Sequence, residues 1–451
     1  MWFFNQERLL VTSAAALAEV LVTKNYDFEK PSHVRWMLGR ILGVGILLAE
    51  GDEHKAQRRK LSPAFAFRHI KDLYPVFWTK SQEGVQAMTK QILQDKQANR
   101  VGSDGATVME VGSWASRVTL DIIGVAGLGH DFGAIKNPEN KLNQTYQHLF
   151  KPSKQQQTLN LLGMLVSPRV VGLLPIKRNE DMASAAQFIR ATCASLIKEK
   201  KEKLARKELE DVDILSVALE SGGFTDENLV DQLMTFLAAG HETTASSMTW
   251  AVYLLSKHPE VQSRLRAEIR ERLPPITDND ADSAISSVDI DHMPYLNAVC
   301  NEVLRYFSPV PLTLRVAARD TEIQGQFVPK GTSIILTPWA INKSESMWGP
   351  DARVFNPERW LPKYDGDKRA ASGGATSNYA FLTFLHGPRS CIGQSFAKAE
   401  FACLLASWIG RFEFELENKE EADEKNLKIR AGVTARPTNG LFVRARVVEG
   451  W

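Results

Sequence analysis

The stretch FLTFLHGPRSCIGQSFAKAE, Phe381 to Glu400, sets one cysteine between glycines and directly ahead of a helix-like run, with an arginine two residues upstream. Cys391 has no CxxC partner, and the other cysteines, Cys193, Cys300 and Cys403, stand in helical contexts at no repeated spacing. So few cysteines in so long a chain do not make a disulfide framework, and structural zinc would need three more ligands grouped around them. A thiol just before a helix has another use, because the unpaired N–H groups of the first turn favour a thiolate. Gly387 and Gly393 would let the backbone approach something bulky and flat, or take positive φ around the sulfur, and Pro388 stiffens the bend. On these features alone, a buried cysteine with incidental glycines is the plainer reading.

The longest periodic run is TDENLVDQLMTFLAAGHETTASSMTWAVYLLSKHPE, Thr225 to Glu260, which the spacing predicts to be one helix about 45 Å long crossing the body. Thr225 can cap it, and Asp226 and Glu227 put negative charge where the helix dipole favours it. In its middle, AAGHETTAS places Glu242 and Thr243 in an otherwise apolar run, and Gly240 sits where alanine would be better by roughly 1 kcal/mol. A weakened helix centre, an acid and a hydroxyl together suggest a place where the helix opens to hold water, since a buried carboxylate needs a partner. A zinc-protease reading of HETTA fails, because that chemistry needs histidines four apart and position 245 is alanine. For His241 a hydrogen-bonded or packing role is the default.

After this helix come PEVQSRLRAEIRERLP, opened by Pro259, and PYLNAVCNEVLRYFSP, opened by Pro294. Within the second, Glu302 and Arg305 share a helix face, a pairing that in isolation occurs often by chance. The pattern then turns to strands, TLRVAARD, TEIQGQFVPKG and TSIILTPWA, with tight turns at Gln324–Gly325 and Pro329–Gly331. Earlier in the chain, the pattern from Gly51 to about Lys96 is helical with a break near Pro63. A mostly apolar helix between Glu110 and Gly129 carries Arg117 and Asp121 at the spacing of a surface salt bridge. The apolar, proline-broken stretch Leu161 to Arg178 reads as core plus turns, with a substrate-entry or membrane-touching element as the alternative.

With 451 residues, 44% of them hydrophobic and 24% charged, the chain can bury a large core, and no Pro/Gly/Ser-rich linker or internal repeat divides it. The expected class is mainly α with a small antiparallel β lobe, in a single large domain over residues 1–451. A formal net charge of +2 gives no footing for a nucleic-acid binder. No run reaches the ~18 apolar residues that cross a bilayer. The chain enters its first strand from the sixth residue, with Ser13 a cap for the following helix, and so looks like a fold entered partway through.

Joined in order, AGHETT on the long helix, EVLR as an ExxR pair, FNPERW from Phe355 to Trp360, and the cysteine segment resemble the cytochrome P450 family. The segment matches that family's FxxGxRxCxG pattern at Phe384, Gly387, Arg389, Cys391 and Gly393. This is the specific part, whereas ExxR alone is weak. The resemblance runs from the first strand to about Val448 and is nearest to fungal microsomal members of secondary metabolism. The departure is at the front, where such proteins carry a membrane anchor, a proline-rich hinge and a first helix and strand. Lower heme retention and stability than in an upstream-extended form is the corresponding expectation.

The resemblance implies heme b with Cys391 as its axial thiolate, Phe384 packed near the sulfur, and Arg389, Arg58, His54 and Arg315 around the propionates, with a structural salt bridge as the alternative for Arg389. His54 stands where many members have tryptophan. It implies Thr243 and Glu242 as the hydroxyl and acid that manage protons, and Glu302, Arg305 and Arg359 as a structural lock. The stripe Thr235, Ala239 and Ser247, spaced by helical turns from Thr243, would line the substrate pocket with Leu312, Thr313 and Leu314. The implied activity is monooxygenation of a hydrophobic small molecule, with electrons from NADPH–cytochrome P450 reductase, with or without cytochrome b5. The full-length family pattern implies the cytosolic face of the endoplasmic reticulum, with this chain itself attached at most through peripheral apolar segments such as Leu161 to Leu174. Arg59 and Lys60 would offer that reductase a basic docking patch. Two alternatives are a reductase-independent heme-thiolate enzyme, acting as peroxygenase, isomerase or oxidative coupler, and a non-catalytic heme sensor. The Glu242–Thr243 pair argues against both.

Overall fold

The computed structural model describes residues 7–98, 105–150, 171–172, 174, 176–206, 213–220, 222–276, 285–364 and 366–451. Its longer helices are α1 (Ser32–Leu42), α2 (Gly51–Leu61), α3 (Tyr74–Gln97), α4 (Val111–Ile122), α5 (Lys177–Ala205), α6 (Asp226–Lys257), α7 (Pro259–Arg272), α8 (Pro294–Tyr306) and α9 (Gln394–Arg411). The stretch Leu161 to Arg178 lies largely outside the described residues, so its two readings are not compared. No helix among the described residues is long and apolar enough to cross a membrane.

The axis of the molecule is α6, whose 32 residues begin at the expected cap: Thr225 Oγ1 accepts the Asn228 N–H at 3.2 Å. α4, α5, α8 and α9 pack around it, and from Leu229 to Leu255 nearly every residue is buried. Prolines open α7 and α8 where their missing N–H costs no helical bond. In α4, Arg117 and Asp121 are not the surface pair their spacing suggested. Both are buried, and each is used elsewhere. Arg117 donates to the Ile135 carbonyl at 2.8 Å and lies over the Trp114 ring, while Asp121 accepts the Ala134 and Ile135 N–H groups at 2.8 Å. Together they fold the following loop back against the helix.

The main sheet has the order β1–β7–β4–β2, formed by Arg8–Val11, Ser333–Leu336, Thr313–Ala317 and Phe28–Glu29. β4 pairs antiparallel with both neighbours, but β1 runs parallel to β7, with Leu9 opposite Ile334. The lobe is therefore mixed, because a strand from the far end of the chain joins its edge. β3 (Thr107–Glu110), β11 (Phe442–Val447) and β8 (Phe412–Leu416) form a second, antiparallel sheet. β5 (Thr321–Ile323) and β6 (Gln326–Val328) close a hairpin at Gln324 and Gly325, both at positive φ as a two-residue primed turn requires. A last hairpin, β9 (Ile429–Ala431) and β10 (Ala435–Pro437), lies against α6. A small apolar cluster under the main sheet, including Leu17, Leu21, Phe28, Ile334 and Trp348, is separate from the helical core.

Candidate active site

The cysteine loop is held by its own backbone. Leu385 N–H donates to the Leu382 carbonyl at 3.0 Å, and Cys391 N–H to the Phe384 carbonyl at 2.9 Å, which sets Phe384 beside the thiol segment. Leu385 (φ 57°) and Gly387 (φ 76°) take left-handed conformations. At Gly387 a Cβ would run into the Leu21 carbonyl, so only glycine fits. At Gly393 the positive-φ alternative does not hold, since its φ is −88°, and the nearest described protein atom to an added Cβ would be on Phe65 at 3.8 Å. It starts α9. Cys391 keeps accessible surface, yet burial pushes its thiol pKa up, opposed by the Gly393 N–H and the charge of Arg58.

Beside this loop the fold collects cations from four places. His54 and Arg58 share one face of α2, Arg315 comes from β4, Arg389 from the cysteine loop, and Lys30 from the end of β2. Arg58 Nη1 donates to the Ser390 carbonyl at 2.6 Å, and His54 Nδ1 lies 3.2 Å from the Tyr26 hydroxyl. Arg315 is buried and bonds the Leu314 carbonyl at 2.8 Å and Thr313 Oγ1 at 3.0 Å. Arg389 is engaged by the Glu50 carboxylate and the carbonyls of Asn25 and Phe28. Lys30 Nζ is 4.0 Å from Glu50. Desolvation, then mutual repulsion, lowers Lys30 to about 7, His54 to about 4 and Arg315 to about 10. Glu50 is the anion that pairs with two of these five groups. The sequence reading missed Lys30 and Glu50.

α6 is accessible between Leu229 and Leu255 only at Asp231, Ala239, Gly240 and Thr243. Three of these four form one turn. The helix does not open there: Thr243 Oγ1 donates to the Ala239 carbonyl at 2.8 Å within a continuous α-helix. Gly240 answers a packing need, since a Cβ would lie 2.8 Å from the Ile123 side chain. Thr235 and Ser247 are buried, their hydroxyls bonded to the carbonyls of Leu42 and Thr243. Leu312, Thr313 and Leu314 all retain surface. His241 is buried against the Tyr146 ring, with Nδ1 2.7 Å from the Leu237 carbonyl.

Glu242 turns toward the β9–β10 hairpin. It accepts Thr434 Oγ1 at 2.8 Å and pairs with Arg436 at 3.0 Å, and Arg436 also bonds the Glu242 carbonyl at 3.0 Å. Ser246 Oγ and Trp250 Nε1 both donate to the Ala435 carbonyl at 2.9 Å, extending this seam along α6. Neither Thr434 nor Arg436 carries a local sequence signal.

Glu302 and Arg305 are both fully buried, joined by two bonds of 2.7 and 2.8 Å. Arg305 also holds the carbonyls of Asn342, Ala352 and Val354. Glu302 also accepts from Arg359 Nε at 3.1 Å, Trp360 Nε1 at 2.9 Å and Asn356 N at 2.8 Å. Three chain segments, α8, the Asn342 turn and residues 352–360, meet at one ion pair. On α2, Arg59 is exposed, but Lys60 reaches the Gly223 carbonyl and the Phe224 ring, leaving it less free than expected.

A cytochrome P450 family model matches residues 1–442. The chain belongs to the cytochrome P450 family. It is 50% identical over 450 residues to the cytochrome P450 monooxygenase sphH of Aspergillus fumigatus, which covers 99% of this chain and 80% of the relative. The cytochrome P450 monooxygenases FUM15 of Gibberella moniliformis and ALT8 of Alternaria alternata are each 47% identical, over 99% of this chain and 80% and 82% of theirs. These relatives put the P450 in the fungal heme-thiolate monooxygenase class. The residues present fit the cofactor of this class. An accessible but desolvated thiol suits an iron ligand, and a buried surplus of positive charge suits a ligand that brings two carboxylates.

Proposed function

We propose that this P450 oxidises a hydrophobic small molecule with dioxygen and electrons from NADPH–cytochrome P450 reductase, with or without cytochrome b5, at the cytosolic face of the endoplasmic reticulum. The observation that carries the reading is the accessible Cys391 beside five basic side chains, of which Glu50 pairs with only Lys30 and Arg389. Heme, once bound, supplies the activation of dioxygen, and the protein supplies binding, orientation and proton control. Cys391 would hold the iron as thiolate, its charge supported by the Gly393 N–H and Arg58. Phe384 and Gly393 flank it. Arg58, His54, Arg315 and Arg389 are assigned to the propionates, and Lys30 joins them.

Thr243 holds protons at its Oγ1, which must leave the Ala239 carbonyl to donate outward. Glu242 passes protons to it after parting from Arg436 or Thr434, so the ion pair sets when the acid is free. Ala239, Thr313 and Leu314, with Thr235 and Ser247 behind them, shape the substrate pocket. Glu302, Arg305 and Arg359 act through the fold. The test is optical: reduced protein under carbon monoxide should show the red-shifted Soret band of thiolate ligation, lost in Cys391→Ala. A band typical of histidine-ligated heme would sink the assignment.

A further inference from the structure

Glu50, Glu242, Glu302 and Glu400, on or beside the helices of the site, are all buried. Glu50 has Arg389, Glu242 has Arg436, and Glu302 has Arg305 and Arg359. Glu400 on α9 has no such partner among the described residues. It is fully buried, its Oε2 accepts from Thr244 Oγ1 at 2.9 Å, and its Oε1 has no hydrogen-bond partner. Thr244 follows Thr243 on α6, and α9 starts just after Cys391. This side chain therefore links the helix that follows the thiol loop to the helix that carries the hydroxyl of the site.

We propose that Glu400 is a positioning residue which, as an uncharged carboxylic acid, holds the α6 turn bearing Thr243 against the helix that starts behind Cys391. A carboxylate there would have one hydroxyl and no cation to replace its hydration, whereas the neutral acid is a compact, apolar-tolerant link. The charged and titratable groups around it do not supply compensation. Lys398, on the same helix, is turned to Asn301 of α8 at 3.0 Å. Cys403 and Cys300 are buried thiols whose own pKa values are pushed up, and Asp291, paired with Tyr74, adds negative charge. Burial in turn pushes the Glu400 carboxyl well above its usual range, with Thr244 opposing weakly. This inference rests on the proposed role of Thr243 only for its functional half.

Infrared difference spectra of the full chain, wild type minus Glu400→Gln at neutral pH, should show a carboxylic-acid C=O band that moves in D2O. Thr244→Val should shift that band. Carboxylate stretches in place of the band would overturn the proposal, whatever the enzyme does with substrate. The melting point provides a second reading: as pH rises above the ordinary glutamate range, the unfolded chain releases the proton that the folded chain keeps, so wild type should lose stability relative to Glu400→Gln. Parallel pH profiles would also overturn it. For the positioning half, Glu400→Ala should increase the share of reducing equivalents lost as peroxide several-fold, with Glu400→Gln restoring the wild-type share. Equal leakage in all three proteins would reject positioning even with the infrared band present.

Discussion

Replacing Arg305 by leucine tests how much of this fold hangs on one ion pair. The substitution removes two bonds to Glu302 and strands the carbonyls of Asn342, Ala352 and Val354 in the interior. Breaking a buried pair costs about 3–5 kcal/mol, and each buried carbonyl left unmet adds about 1–3 kcal/mol. Glu302 keeps three donors, Arg359, Trp360 and the Asn356 N–H, so the pair contributes near the low end. The sum, about 6 kcal/mol or more, is comparable with the whole stability of a typical domain, roughly 5–15 kcal/mol. Arg305→Leu should therefore yield little folded protein, and Arg305→Lys, which keeps the charge but not the planar fork, an intermediate loss. Chemical denaturation followed by tryptophan fluorescence, with the midpoint and slope of each variant, is the assay. A midpoint for Arg305→Leu within experimental error of wild type would refute the reasoning, because the network would then be compensated elsewhere.

Lys30, lowered to about 7 by burial among cations, is held uncharged by the apoprotein above that pH while the unfolded chain keeps it protonated up to about 10.5. Apoprotein stability should therefore rise relative to Lys30→Met across that window, and heme loading just above neutral pH should take up a proton, measurable by calorimetry in buffers of different ionisation heat. Arg436→Gln should cost roughly 3 kcal/mol by leaving Glu242 buried without its paired cation, read as a lower denaturation midpoint. An unchanged midpoint would show that the pair does not hold the β9–β10 hairpin to α6. Ala239→Phe should leave the carbon monoxide spectrum intact while raising the KM for bulky substrates about tenfold or more, since the one accessible turn of α6 would be filled.

Elements whose causes are local were legible. Thr225 caps α6, Pro259 and Pro294 open α7 and α8, and Gln324–Gly325 turn the hairpin, each through chemistry confined to a few neighbouring residues. The cysteine loop was legible for the same reason. What escaped the sequence depends on partners hundreds of residues away. Lys30 reads as a surface lysine before a proline until β4 and the cysteine loop surround it. Trp360 is one aromatic among several until its N–H is found on Glu302. Arg117 and Asp121 have ion-pair spacing, but the loop at Ile135 offers both of them better partners. The parallel ladder of β1 with β7 is of this kind too, because periodicity gives a strand its faces and not its neighbour.

The two glycines of the cysteine loop answer to different masters. Position 387 is closed by the polypeptide itself, where the Leu21 carbonyl occupies the space of any side chain. At position 393 no described residue blocks a side chain, the nearest being Phe65 at 3.8 Å. A library scored for protein abundance should therefore be barren at 387 and tolerant at 393, whereas the same library scored for heme content should lose variants at both. The difference between the two maps would separate what this segment owes to folding from what it owes to its guest.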